Sequence, residues 1–356
     1  MAARKRDSSH ITIVDVAKQC GFSPSTVSIV LNNAPLSRYV AESTKELIRK
    51  TAVTMGYHPD ASARSLRRRR SQTIGILVFD ISDPFCTRIL EGIEQTIFPT
   101  GYLPILMDAH NQRKPFERYL QMLLELRVEG LIVVANWLFD EFDLLKDLQK
   151  NNIPTVGVGR DLTGSGIRSL QSDNQAGGYA AAEHLYRLGH REIAVIRGPE
   201  ELADSQRRWE GILRFAQEAS LELKTTHVKQ LKAADDPSSG FDGGRQLTTA
   251  MLAANLSFTA LIAFDDVTAF GAIRALARTG RSVPGDCSVI GFDDVPQASL
   301  STPALTTIRQ PMEEMGKLAA QWTLDFLDQG GKSDCLSNDL HLLPPALMER
   351  ESTARI

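Results

Sequence analysis

The chain has 356 residues, 42% hydrophobic and 23% charged, with a formal net charge of −3; this suits a globular protein of two or three domains and excludes fibrous, membrane-spanning and disordered classes. No apolar run approaches the ~20 residues that cross a bilayer, and the opening MAARKRDSSH carries no hydrophobic segment behind its charges, so the expected compartment is the cytoplasm. Charge is unevenly placed: residues 1–72 hold 13 Lys/Arg against 5 Asp/Glu, a local +8, so residues 73–356 sum to −11. A basic head on an acidic body predicts that a polyanion meets the head alone.

In chain order, TIVDVAKQCGFSPSTVSIVLNN (12–33) reads as two short helices around a tight turn. Ile13, Val16 and Ala17 share one face, Gly21 suits the left-handed stop of the first helix, and Ser23-Pro24 is an N-cap followed by proline at the first helical position. On the second helix Val27, Val30 and Leu31 recur at helical spacing and point inward. That leaves Pro24, Ser25, Ser28, Ile29 and Asn32 outside, small or short enough to approach base edges as a recognition helix does. A third helix, ESTKELIRKTAVTMG (42–56), presents Leu47, Ile48 and Met55 to close a small core. The next stretch, PDASARSLRRRR (59–70), has helix-forming residues but almost no apolar face beyond Ala63 and Leu66. With its positive charge so dense, it is expected to order only when something neutralises it.

From residue 73 apolar strands such as TIGILVFD, YLPILMD, GLIVVA and IPTVGVG alternate with amphipathic helices, and the rhythm restarts near residue 172 with EIAVIRG, ALIAFDD and CSVIGFDD. This alternation predicts two parallel sheets with helices on both faces, whose ligands bind beyond the C-terminal strand ends. Cys20, Cys86, Cys287 and Cys335 lie far apart with no metal-ligand spacing, and His184 and His190 read as structural. GVGRDLTG (157–164) lacks the glycine spacing of a dinucleotide loop, and no nucleophile elbow or phosphate loop occurs. No metal, cofactor or catalytic residue is assigned, and the chain is read as a non-enzyme.

The head motif, followed without a gap by GYHPDASARSLRRRRSQTIGILV, closely resembles the LacI/GalR family of bacterial transcription regulators over nearly the full chain. The resemblance implies an all-α helix-turn-helix head (1–58), a hinge (59–72) and an α/β effector-binding and dimerisation body (73–356). The body is periplasmic-binding-protein-like, with subdomains at about 73–171 plus 311–330 and about 172–310 plus 331–356. It implies DNA contacts by Thr12, Ser23, Pro24, Ser25, Thr26, Ser28, Ile29 and Asn32, and by Ala63, Arg64, Leu66 and Arg67 of a hinge that folds on the operator, where Leu66 wedges into a base step. It also implies effector contacts by Phe85, Arg208, Asp265, Asp293 and Gln310. Three departures stand out. An insertion-like APLSRY (34–39) lengthens the loop before the third helix. Ile29 replaces an arginine common in the family, and Gly159 replaces an acid that several sugar-sensing members carry.

The expected function is a homodimeric regulator, in the sense of a repressor, that binds a palindromic operator and responds to a small metabolite, a sugar or sugar derivative. A family regulator whose body binds a protein corepressor is the alternative. A transport solute-binding protein would share the body but has no use for the basic head.

Overall fold

The protein is described by a computed structural model over residues 11–57, 70–135, 153–232, 240–329 and 339–356. The expected hinge contacts Ala63, Arg64, Leu66 and Arg67, and Cys335, lie outside the described residues. The chain divides into two compact units, residues 1–71 and 72–356.

In the first unit α1 (Ile13–Cys20), α2 (Pro24–Leu31) and α3 (Glu42–Met55) surround a core of Val16, Ala17, Val27, Val30, Ile48 and Ala52. Local sequence sets the ends of the first two helices. Thr12 and Asp15 form a reciprocal capping box, Gly21 stops α1 at φ 77°, and the Ser23 hydroxyl accepts from the Thr26 amide at 3.1 Å. Residues Pro35–Tyr39 form a 3-10 turn where a plain loop is expected. Leu47 is a correction: it is 48% exposed, and Ala52 takes its place in the core. A three-helix core this small takes one narrow stripe of α3, and the stripe runs through Ile48, Ala52 and Met55.

The second unit holds two six-stranded sheets. The first contains β1 (Thr73–Val78), β2 (Leu103–Asp108), β3 (Gly130–Val134), β4 (Thr155–Val158), β5 (Arg168–Ser172) and β11 (Leu340–Leu343), ordered β11-β5-β4-β3-β1-β2 and all parallel. The second contains β6 (Ile193–Arg197), β7 (Val228–Gln230), β8 (Ala260–Ala263), β9 (Ser288–Asp293), β10 (Thr306–Arg309) and β12 (Ala346–Met348), ordered β12-β10-β9-β8-β6-β7. Only β12 runs antiparallel, against β10.

Helices cover both faces of both sheets, so the central strands β1, β3, β4 and β8 read as nearly continuous apolar runs. On the first sheet α4 (Pro84–Ile97) and α11 (Met312–Asp328) pack over Ile74, Ile76 and Val78, while α5 (Arg113–Glu125) covers Leu77 and Val133 from the opposite side. On the second, α6 (Asn174–Arg187) and α7 (Ala203–Glu218) cover one face, and α8 (Phe241–Ala253) and α9 (Asp266–Arg278) cover the other. The short α10 (Pro296–Leu300) follows β9.

The chain crosses between sheets three times, after Ser172, after Arg309 and after Leu343. The third crossing corrects the expected boundary at 331. Because β11 pairs with β5, the chain stays with the first sheet through Leu343 and joins the second only past Pro344 and Pro345. His184 and His190 tie the C-terminal segment down: His184 Nε2 lies 2.9 Å from Thr353 Oγ1, and His190 Nε2 lies 3.1 Å from the Ala354 carbonyl.

Candidate functional site

Two surfaces carry the chemistry, one on each unit. On α2 the helical period puts Val27 and Val30 in the core and leaves Pro24 and Ser25 exposed, with Ser28 and Ile29 half-buried. Several polar groups implied as DNA contacts also hold hydrogen bonds to neighbours within the head. The Thr12 hydroxyl bonds Asp15 at 2.6 Å, Ser23 Oγ lies 2.9 Å from Thr26 Oγ1, and the Asn32 amide donates to the Ser28 carbonyl at 2.8 Å.

In the larger unit the strand ends converge beside the crossings. Arg208, on α7, is 7% exposed. Its Nε donates to Asn174 Oδ1 at 2.8 Å, Nη1 to the Phe264 carbonyl at 2.6 Å and Nη2 to Asp293 Oδ1 at 3.5 Å. The guanidinium also lies over the rings of Phe292 (3.7 Å) and Phe264 (4.6 Å), which fix its plane. Gln310 Nε2 donates to the same Asp293 oxygen at 2.6 Å. The structure thus brings Arg208, Asp293 and Gln310 together at the second crossing, and Asn174 reaches them from the first.

Asp293 ends β9 at φ 110° and Asp294 follows at φ 58°, a left-handed pair that non-glycine residues rarely adopt. The turn sends the two side chains apart. Asp293 meets Arg208, whereas Asp294 is held by Arg309 Nε and Arg350 Nη2, each at 2.6 Å, a purely structural clamp. Asp265 caps α9 by accepting from the Thr268 amide at 2.6 Å. Opposite it, on the first subdomain, Asp83 caps α4 by accepting from the Phe85 amide at 2.8 Å. Phe85 itself is 7% exposed and belongs to the core beneath.

Burial drives the electrostatics. It pushes the Asp83 carboxyl up to about 6, against the Phe85 N–H that lowers it and with Asp265 and Asp80 adding to the rise. It likewise raises Asp204 to about 6, while Arg208 and Arg160 pull it back, and it carries Asp293 well above the ordinary carboxylate range. Asp83 feels both Asp265 and Arg208, so carboxylates from both subdomains share one field with a single stacked arginine. The arrangement can hold a small polar molecule by its hydroxyl or amine groups. Gly159 explains its own departure. At φ 88° a Cβ there would lie 2.6 Å from the Ala135 carbonyl and 3.2 Å from Phe85 Cε1, so no acidic side chain fits.

Asn174, Asp204, Phe264 and Phe292 join this network without having been singled out from sequence. Asn174 Nδ2 donates to Asp204 Oδ1 at 3.0 Å, which sets Asn174 as a relay between Asp204 and Arg208. Their residue types carry a faint signal, since Phe264 follows β8 directly and Asn174 comes two residues after β5, but their meeting depends on the sheet order. Among the described residues no group of acidic, histidine or cysteine side chains could hold a metal ion, and no helix is long and apolar enough to cross a membrane.

A profile of bacterial regulatory proteins of the lacI family matches residues 12–60, and one of the periplasmic binding protein-like domain matches residues 182–353. The HTH-type transcriptional repressor PurR of Proteus mirabilis (strain HI4320) is 34% identical over 344 residues, covering 96% of this chain and 97% of its own length. The chain belongs to the LacI family of bacterial regulators. PurR of Pectobacterium carotovorum subsp. carotovorum (strain PC1) is 36% identical over 96% of this chain and 97% of its own. The lac repressor dimer bound to operator and the anti-inducer ONPF shares the fold at a TM-score of 0.82 and 26% identity, covering 97% of this chain and all of that one. A LacI-family regulator from Enterococcus faecium with bound ribose superposes at a TM-score of 0.67 and 29% identity, over 80% of this chain and 99% of that one. This LacI-family member is a DNA-binding transcriptional repressor with an effector-binding domain, and not an enzyme.

Proposed function

We propose that this repressor works in the cytoplasm as a homodimer on a palindromic operator, and that a small polar molecule, a sugar or sugar derivative, bound between its two subdomains sets operator affinity. The observation that carries this reading is the stacked, buried Arg208 bonded to Asp293 beside the crossings. The bound ribose of the Enterococcus faecium regulator supports the sugar class. In this reading Asp265 and Gln310 add contacts and Phe85 backs the ligand from the first subdomain. The head docks α2 in the major groove, with Thr12, Ser23, Pro24, Ser25, Thr26, Ser28, Ile29 and Asn32 at the interface and residues 59–72 as the hinge.

A ligand shifts operator affinity only through its different affinity for two arrangements of the body, a coupling of about 1–3 kcal/mol, or roughly 5- to 150-fold. The test titrates operator affinity of wild type, Arg208→Ala and the milder Gln310→Leu against a panel of sugars and nucleobases, with direct ligand binding measured in parallel. Wild type should respond to a sugar, and Arg208→Ala should lose the response while keeping its ligand-free operator affinity. A response to nucleobases alone would replace the sugar class, and an undiminished response in Arg208→Ala would move the effector off the cleft and favour a protein partner.

A further inference from the structure

Sorting the side chains of α2 by what they already bond leaves an unusual reading surface. The helix, PSTVSIVL, contains no Arg, Lys, Gln or acidic residue, so it offers none of the long side chains that grip a guanine or adenine edge with two hydrogen bonds. Its single amide, at the C-cap, is turned back: Asn32 Nδ2 donates to the Ser28 carbonyl at 2.8 Å and lies 3.2 Å from Ser28 Oγ. Ser23 and Thr26 are occupied with each other at the N-terminus.

What remains at the centre of that face is hydrocarbon. Val27 and Val30 are buried and Leu31 packs against the head core, but Ile29 is absent from that cluster and stays partly open. Ser25 stands one turn before it and is exposed, so nothing bulky holds the isoleucine away from an approaching surface. A half-buried branched aliphatic flanked by short hydroxyl side chains gains by further burial against hydrocarbon. In the major groove the hydrocarbon on a base edge is the C5-methyl of thymine.

We propose that Ile29 is the specificity-determining residue of α2 and that it reads a thymine methyl in each operator half-site. The inference rests on the placement of α2 in the major groove given above. Base choice at that position then comes from apolar contact, and the neighbouring serines permit the close approach.

The experiment first selects operators from a random duplex pool with the full-length protein. Each thymine of the selected site is then replaced singly by deoxyuridine, which removes only the methyl group, and affinities are measured at fixed salt for wild type, Ile29→Ala and Ser25→Ala. Wild type should lose about fourfold at one thymine per half-site, the worth of one buried methyl. That ratio should fall to about one in Ile29→Ala and persist in Ser25→Ala. Thermal melts of the variants check that the head still folds. A selected operator with no methyl-sensitive thymine, or sensitivity that survives Ile29→Ala, overturns the proposal and leaves the repressor reading intact. Failure to select any sequence overturns both.

Discussion

Burial sets the charge state of single residues in this protein. Asp266 is the clearest case, with a fully buried side chain whose Oδ1 accepts from Thr307 Oγ1 at 2.5 Å and Oδ2 from the Val295 amide at 2.9 Å, joining α9 to the ends of β9 and β10. Burial outweighs both hydrogen bonds and raises its carboxyl to about 7. Because the folded value lies above the unfolded one, the neutral acid stabilises fully below about pH 4, and this contribution is lost as pH rises through 7. Asp266→Asn keeps the shape and removes the titration. Its stability should therefore gain on wild type between pH 4 and 7, at a slope on the order of 1 kcal/mol per pH unit, when followed by urea denaturation at several pH values. Parallel pH curves for the two proteins would show that Asp266 ionises normally in the fold.

At the scale of elements, three helix pairs share one device. Gly92 and Gly316 let α4 and α11 touch, Gly178 and Gly211 do so for α6 and α7, and Gly244 and Gly271 for α8 and α9; at each position a Cβ would run into the backbone carbonyl of the facing helix. Such close packing fixes each helix against its neighbour with no side chain to give way. For α6 and α7 it has a consequence at the cleft, since the carbonyl facing Gly178 is that of Arg208. Gly178→Ala should lower stability by roughly 1–3 kcal/mol through overpacking. It should also weaken ligand binding, because the helix that carries Arg208 must move; calorimetric melting and ligand titration of the same variant separate the two effects. A stable variant with wild-type ligand affinity would show that the helices relax without moving the arginine.

For the whole molecule, the division of charge follows the division of structure. The units meet at Ser71 and Gln72, so the +8 of residues 1–72 and the −11 of residues 73–356 fall almost entirely on different bodies. Operator binding should accordingly be salt-sensitive, with log affinity falling against log salt by about 0.9 for each phosphate neutralised. A fragment beginning at Thr73 should keep the ligand response of the body and ignore DNA. Gel-shift titrations across a salt series check both expectations, and operator binding by the fragment would place DNA contacts on the acidic body.

The features legible in the sequence are those whose causes are local. Gly21, Ser23 and Pro24 mark the turn between α1 and α2 because capping needs only neighbours along the chain, and Gly21 does adopt the left-handed conformation. Alternating apolar strands and amphipathic helices announce two parallel sheets for the same reason, since each element must bury its own face. Asp293 and Gln310 stand at strand ends, where the alternation puts a ligand site, whereas Arg208, inside α7, is legible only through the family resemblance. Tertiary structure alone decided the rest. Leu342 and its neighbours form a strand only because the edge of β5 is open to them, and Leu47 is exposed because the head core is full without it. Asn174, Phe264 and Phe292 surround Arg208 from three separate stretches of chain. Pairing across a sheet edge and contact at a crossing depend on which elements lie side by side, and that order is set by the burial of all of them at once, which no single stretch of sequence records.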